Sequence, residues 1–415
     1  MCEAEENGNE TGKGVGMKIA IISASDSGGG GIAALRLHKA LMAYGVDSSM
    51  LCLYKSTDTP KVYEYKKSFL AKAIDHLPFI SYRQNKYKRY YKELSSNYTC
   101  FSFPEAIFDI SDHPIIQQAD IINLHWVGNM LNYPRFFTKV KKPIVWTLHD
   151  NNPFQGIAHY RCERTLYEQF RDLENQVCEL KSNAINQHPD ISVVNLCNWM
   201  KIEAEKSKAF ANRPHVIIPN SIDISVFRVY DKVAVRKDLG LPVDKPILLF
   251  VSQSVENRWK GFDILKSAIM LLDRDCFLLI VGEANDNLDV PCEKMFMGTI
   301  NDEQLMAYLY AAADAFILPT LEDNLPNTMV ESLCCGTPVI TFSNGGMTDY
   351  IKNMKNGIIV KDPNSDDLLQ AINIFLDNML QFDDRKMISH DNHEKFSPRL
   401  QAKRYVELYK SILER

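Results

Sequence analysis

Residues 321–346 read LEDNLPNTMVESLCCGTPVITFSNGG, and Asp323 and Glu331 stand eight positions apart on either side of a Pro-Asn-Thr turn. A carboxylate accepts hydrogen bonds from two hydroxyls at once, so two carboxylates held close together suit a polyol ligand. Pro326 lacks an N–H, and Asn327 and Thr328 are good N-cap types. A helix is therefore expected to begin there, with the N–H groups of Asn327, Thr328 and Met329 open to an anion. Glu331 would lie one turn into that helix, where merely complementing its N-terminus is an equally good use for it.

Three more strand-to-helix turns carry groups of the same kind. SASDSGGGGIAALRLHKAL sets Gly28 to Gly31 between a strand and a helix, either as a cradle that lets the backbone approach a phosphate or sugar or simply as a tight turn. The spacing is not GxGxxG, so no nicotinamide cofactor is implied. VSQSVENRWKGFDIL offers Arg258 and Lys260, which can neutralise a diphosphate, and TFSNGGMTDY ends a strand on Gly345 and Gly346. In open α/β sheets, ligands bind beyond the carboxyl ends of strands, where such turns lie.

The elements that must position these groups follow from the apolar pattern. KIAIISA, DIINLHW, PIVWTLH, ISVVNL and HVIIPN read as buried strands of one half, and PILLFVS, CFLLIVG, AFILPT and PVITF as those of the other. Helical stretches alternate with them, giving two doubly wound α/β domains. The expected boundaries are a disordered acidic tail at 1–16, a first domain at 17–224, a second at 225–395, and a helix at 396–415 packing back on the first. Residues 1–16 have no apolar core that would make a signal peptide, and Met17 is a candidate functional start.

A chain of 415 residues suits two domains, and 46% hydrophobic with 24% charged residues is a globular composition without an 18-residue apolar run. A net charge of −5 argues against general nucleic-acid binding. The ten cysteines show no CxxC pairing, which fits reduced thiols in a cytoplasm. One stretch departs from the average. From 61 to 92 there are nine Lys or Arg (61, 66, 67, 72, 83, 86, 88, 89, 92) against Glu64 and Asp75, with tyrosines and phenylalanines interleaved. Such a stretch suits docking on an anionic membrane surface, or equally a solvated helical hairpin over one side of the cleft.

Taken together, the motifs resemble the retaining nucleotide-sugar glycosyltransferases of family 4, with the GT-B fold: two Rossmann-like doubly wound domains facing across a cleft. The resemblance spans roughly 17–412. It rests on LPTLEDNLPNTMVESLCCGTPVITFSNGGMTDYI, on VIIPNSID and on RWKGFDIL. In the first half, GGGGIAALRLHKALMAYGVDSSML and PIVWTLHDNNPFQGIAHYRCE are similar to a subgroup common in bacterial capsule and lipopolysaccharide gene sets.

What the resemblance implies is specific. Glu331 would hold the ribose hydroxyls; Asp323, Asn327 and Thr328 would contact the donor sugar and diphosphate; Lys260 would bind the diphosphate. Gly28 and Gly29 would lie near the phosphates and the acceptor, and His149 would line the donor sugar, with Asn220 structural and His125 shaping the cleft floor. The implied reaction moves a hexose-type sugar to a glycan or lipid-linked acceptor with retention, in surface polysaccharide assembly at the inner membrane face. It needs no cofactor and no divalent metal, since no DxD-type ligand pair is evident at a strand end. A GT-B epimerase and a silent nucleotide-sugar-binding scaffold are the alternatives.

The departures are equally specific. Asp323 stands where Glu is usual, with Glu322 beside it as a rival, and Asp349 replaces the Glu after Gly-Gly. Ser252-Gln253 replaces the usual Gly-Arg, leaving Arg258 as the candidate substitute cation. Cys162 and Cys178 are all that remains of a cysteine cluster, so no zinc site is expected.

Overall fold

The computed structural model describes residues 15–66, 87, 90–284, 290–382 and 384–415. The chain forms two parallel sheets. The first contains β1 (Val15–Ile22), β2 (Val46–Cys52), β3 (Val62–Glu64), β4 (Ile121–Leu124), β5 (Ile144–Leu148), β6 (Ile191–Asn195) and β7 (His215–Ile217), in the order β3-β2-β1-β4-β5-β6-β7. The second contains β8 (Ile247–Ser254), β9 (Phe277–Glu283), β10 (Glu293–Phe296), β11 (Ala315–Leu318), β12 (Val339–Phe342) and β13 (Gly357–Val360), in the order β10-β9-β8-β11-β12-β13. Both are doubly wound and Rossmann-like, as expected.

The continuous apolar runs arise because helices cover both faces of each sheet. Along β1, Ala20 and Ile22 enter one core while Ile19 and Ile21 enter the other. Along β8, Ile247 and Leu249 alternate with Leu248 and Phe250 in the same way.

Six helices matter for the site: α1 (Gly28–Ala43), α2 (Arg171–Asn186), α3 (Glu303–Ala312), α4 (Asn327–Cys334), α5 (Arg385–Phe396) and α6 (Pro398–Leu413). The last of them lies on the first sheet. Its Tyr405 and Tyr409 are fully buried, with Tyr405 Oη 2.9 Å from Thr147 Oγ1 and Asn123 Nδ2 donating to Tyr409 Oη at 2.8 Å.

The chain crosses between the domains twice, at neighbouring places. Ile218 belongs to the first core and Ile222 to the second, so the outward crossing is Pro219–Ser221, a few residues before the expected boundary at 224. On the return, Phe396 packs in the second core and Ala402 in the first. Gln401 clasps the two crossings: its Nε2 donates to Pro219 O at 2.9 Å, and its Oε1 accepts from Ser221 Oγ at 2.7 Å.

Strand β1 begins at Val15, inside the stretch read as a tail, and pairs with β2 from Val46. The basic stretch 61–92 lies largely outside the described residues. Of its cations, Lys61 sits beside β3 and pairs with Asp47 at 2.7 Å. Among the described residues, no helix is long and apolar enough to cross a membrane.

Candidate functional site

Each sheet reverses its strand order at one point, between β1 and β4 in the first and between β8 and β11 in the second. Both switch points open on the same cleft, which is where this architecture binds ligands. A cavity of about 420 Å³ lies there, lined by Ser25 and Ser27 to Gly31 after β1, Trp126 after β4, His149 to Asn151 after β5, Gln253 near the end of β8, Lys260 after it, and Glu322 to Asn324 after β11. Cys100, His159, Tyr160, Trp199 and Met200 complete the wall.

The second domain supplies the charged side. After β8 the chain makes a short 3-10 turn, Arg258–Lys260, and leaves it through Gly261 at φ 70°. A Cβ on Gly261 would fall 2.0 Å from Pro319 O, so glycine is required for the turn to seat against the end of β11. That seating directs Lys260 into the cleft, where its Nζ meets Asp323 Oδ2 at 2.6 Å. Burial alone would lower the Lys260 ammonium, but Asp323 and then Tyr160 more than offset it, so it stays charged.

Glu322 and Asp323 have separate duties. Glu322 accepts from Asn151 Nδ2 at 3.1 Å and from the backbone N–H groups of Arg161 and Cys162 at 2.6 and 3.2 Å, all in the first domain. It fastens one domain to the other, while Asp323 faces the cavity.

Gly345 and Gly346 are not in the cavity wall. Their added Cβ atoms would fall 2.0 Å from Asp323 O and 1.9 Å from Asn324 O, so the pair exists to let the acidic loop lie directly on the turn after β12. Asp349, after them, accepts from the N–H of Asn198. These residues shape the acidic loop from behind.

Helix α4 begins after Pro326, as expected from the Pro-Asn-Thr signal. Asn327 Nδ2 donates to Gly29 O at 3.1 Å and its Oδ1 accepts from Asn220 Nδ2 at 3.2 Å. Thr328 is half-buried on the same turn. Glu331 is 8% exposed; its Oε1 accepts from Arg36 Nη2 at 2.9 Å and its Oε2 from Tyr310 Oη at 3.2 Å.

Arg258, expected as a substitute cation, is turned out of the cavity. It is exposed, lies over the Trp259 ring at 4.7 Å and donates to Tyr167 Oη at 3.3 Å. The tight turn that sends Lys260 inward sends Arg258 outward.

The first domain supplies a buried polar network. Gly28, at φ 68°, and Gly29 have nothing within 4 Å of an added Cβ, so both offer backbone to the cavity. Gly30 and Gly31 are different, since their Cβ atoms would meet Trp126 Cβ at 2.9 Å and Ser25 O at 2.5 Å. Two of the four glycines thus face open space and two are packing residues. The Ser27 side chain does not cap α1, which leaves its first N–H groups available.

His149 Nε2 lies 2.8 Å from His125 Nδ1, with the rings stacked. Burial holds His149 neutral, pushed down to about 4 against the opposing pull of Asp150, and holds His125 neutral as well, with His149 adding to the effect. Next to them, Asp150 accepts from Trp126 Nε1 at 2.8 Å, from Asn152 N at 3.0 Å and from His159 Nδ1 at 2.6 Å. Burial alone would lower His159, but Asp150, with Cys100 alongside, raises it to about 10, so it is an imidazolium that also donates to Ser102 Oγ at 2.7 Å. Burial alone would raise Asp150; the His159 charge and these hydrogen bonds keep it low.

The loop bearing these groups is held from below by α2. Lys181 Nζ donates to Asn152 O, Asn152 Oδ1 and Gly156 O at 2.8, 3.0 and 2.6 Å, and Glu174 accepts from the N–H groups of Ile157 and Ala158.

Of the expected residues, Gly28, Gly29, His149, Lys260 and Asp323 meet in the cavity, whereas Arg258, Asn327, Thr328 and Glu331 are outside its wall. Sequence reasoning missed Asp150, His159, Tyr160 and Trp199. Asp150 directly follows His149, and His159 lies in AHYRCE, so position beside a strand end was the one available signal.

Residues 231–394, nearly the whole second domain, match the family model described as Glycosyl transferases group 1. An uncharacterised glycosyltransferase of Methanocaldococcus jannaschii is 27% identical over 234 residues, which cover 53% of this chain and 57% of that relative. The chain thus spans little more than half the length of that curated relative. Sucrose-phosphate synthase from Thermosynechococcus elongatus superposes with a TM-score of 0.69 at 17% identity, covering 96% of this chain and 99% of its own. HepE of Anabaena, solved in complex with UDP-glucose, gives 0.66 at 16% identity over 95% and 100%.

Sheet order, cleft and neighbours define a GT-B protein. Within that class, residues 231–394 of the second domain are similar to the group 1 glycosyl transferases.

Proposed function

We propose that the protein is a retaining, metal-independent glycosyltransferase that moves a hexose-type sugar from a nucleotide-diphosphate donor to a glycan or lipid-linked acceptor. The observation that carries this reading is one cavity shared by two switch points. One side holds the Lys260–Asp323 pair and the other holds the open backbone of Gly28 and Gly29. A diphosphate between them would meet an ammonium and helix-terminal N–H groups at once.

In this reading the bond between the sugar anomeric carbon and the diphosphate oxygen breaks, and the bond to the acceptor oxygen forms on the same face. The acceptor proton passes to the departing phosphate oxygen. Lys260 neutralises the charge that develops there, Asp323 orients Lys260 and contacts the sugar, and neutral His149 lines the sugar with a ring that can accept or donate one hydrogen bond. Glu331 holds the ribose. The binding of UDP-glucose by HepE, a protein of the same fold, supports a nucleotide-sugar donor. A role in surface polysaccharide assembly, in the cytoplasm against an anionic membrane surface, rests on the motif resemblance and on the composition of 61–92.

The test is product analysis by NMR after incubation with UDP-, GDP- and ADP-sugars and polysaccharide acceptors, with and without EDTA. An α-linked product from an α-linked donor, formed equally in EDTA, is expected; an inverted anomer or EDTA-abolished turnover contradicts the proposal. The outward turn of Arg258 leaves Lys260 as the one expected diphosphate cation in the cavity. That favours, as a second reading, a scaffold that binds a nucleotide sugar without turning it over.

A further inference from the structure

The ninth residue of α1, Arg36, belongs to the first domain but has its guanidinium inside the second. Its Nη2 donates to Glu331 Oε1 at 2.9 Å and to Glu303 Oε1 at 2.8 Å, and the group lies 5.8 Å from the centre of the Phe227 ring. The side chains of Arg36 and Glu331 are only 12% and 11% exposed. Nε and Nη1 of Arg36 are buried without a hydrogen-bond partner among the described residues.

These facts bear on access. With Arg36 on one oxygen and Tyr310 on the other, Glu331 lies outside the cavity wall. A ribose diol that takes both oxygens of the carboxylate must displace the arginine. The bridge is also poised rather than locked. Charge pairing with two carboxylates holds it, while two buried nitrogens whose N–H groups lack acceptors weigh against it.

We propose that Arg36 is a latch that closes the cleft over Glu331 in the ligand-free protein and must withdraw, opening the domains, for a nucleoside diphosphate to bind. The proposal rests on the reading of Glu331 as the ribose carboxylate. A latch of this kind lowers apparent affinity by the fraction of molecules that are closed. Donor binding and domain opening are then one equilibrium.

The test uses the full chain, Arg36→Met, which keeps an apolar stem, and Glu303→Gln, which removes the half-exposed anchor and leaves the cavity residues alone. Binding of UDP, GDP and ADP is measured by calorimetry, and the ligand-free radius of gyration by X-ray scattering. Arg36→Met is expected to bind the preferred nucleotide about tenfold tighter and to expand when ligand-free, with Glu303→Gln shifting both the same way by less. Nucleotide binding by Arg36→Met where the wild-type protein shows none supports the latch in its strongest form. Unchanged or weaker binding with an unchanged radius overturns it. Glu331→Ala separates the two ideas. If that variant still binds nucleotide, the ribose reading fails; if it loses binding while Arg36→Met gains none, the latch alone fails. Binding of none of the three by either wild type or Arg36→Met sinks the donor-site reading and the latch with it.

Discussion

The two walls of the cleft are built on different plans. The second-domain wall uses single residues, each delivered by one strand end, with Lys260 from β8 and Asp323 from β11 meeting at 2.6 Å. The first-domain wall is hydrogen-bonded within itself, His125 with His149, and Trp126, Asp150, His159 and Ser102 in one chain beside them. A wall of separate parts should lose function when a part is removed and keep its fold. A wall that is a network should lose stability first.

The largest expected effect tests the network. His159→Leu takes the imidazolium from the half-buried Asp150, and leaving a hydrogen-bonded partner unpaired in this way costs about 1–3 kcal/mol of stability. Urea unfolding measures this, and a loss under about 1 kcal/mol would place His159 outside the network. Lys260→Ala tests the other wall. Turnover should fall roughly 100-fold or more while the urea midpoint moves little, and a large stability loss with unchanged turnover would reverse the contrast.

The two glycine pairs sharpen it further. Gly346→Ala forces a Cβ to 1.9 Å from Asn324 O and should cost about 1–3 kcal/mol, whereas Gly29→Ala meets nothing within 4 Å and should leave stability intact while weakening nucleotide binding. Equal melting temperatures for the two variants would show that the packing difference is not real.

A pH series probes the neutral histidines. Because His149 is depressed to about 4 in the fold, the unfolded chain takes up a proton first as pH falls below about 6.5. Its contribution is therefore full above that pH and is lost as pH falls through about 4. His149→Asn should flatten stability across that window, and an unchanged slope would assign it to other groups. The smallest effect is expected at Arg258, which is exposed and outside the cavity: Arg258→Ala should change stability by less than about 0.5 kcal/mol and turnover less than Lys260→Ala, as a direct rate comparison would show.

The same contrast explains what the sequence disclosed. Lys260, Asp323 and the start of α4 were legible because turn chemistry and strand ends act over a few residues. So were the central strands, whose runs are apolar because both faces are buried. The edge strands β3 and β10 were not, since they carry Tyr63, Glu64, Glu293 and Lys294 on exposed faces. His159 and Asp150 meet across a loop, and Arg36 reaches Glu331 across the cleft, 295 positions away in sequence. No local pattern records such meetings. Gly345 and Gly346 show the reverse, a motif visible in sequence whose work is to pack a loop rather than to touch the cavity.

The most direct test of the central claim is thermal stabilisation of the purified protein by UDP, GDP and ADP without metal, with Glu331→Ala alongside. The account expects one nucleotide to raise the melting temperature by a few degrees at about 100 times its Kd, and the shift to vanish in the variant. No shift with any nucleotide in either the wild-type protein or Arg36→Met, or the same shift in the wild-type protein and Glu331→Ala, would contradict a donor site built on Lys260, Asp323 and Glu331.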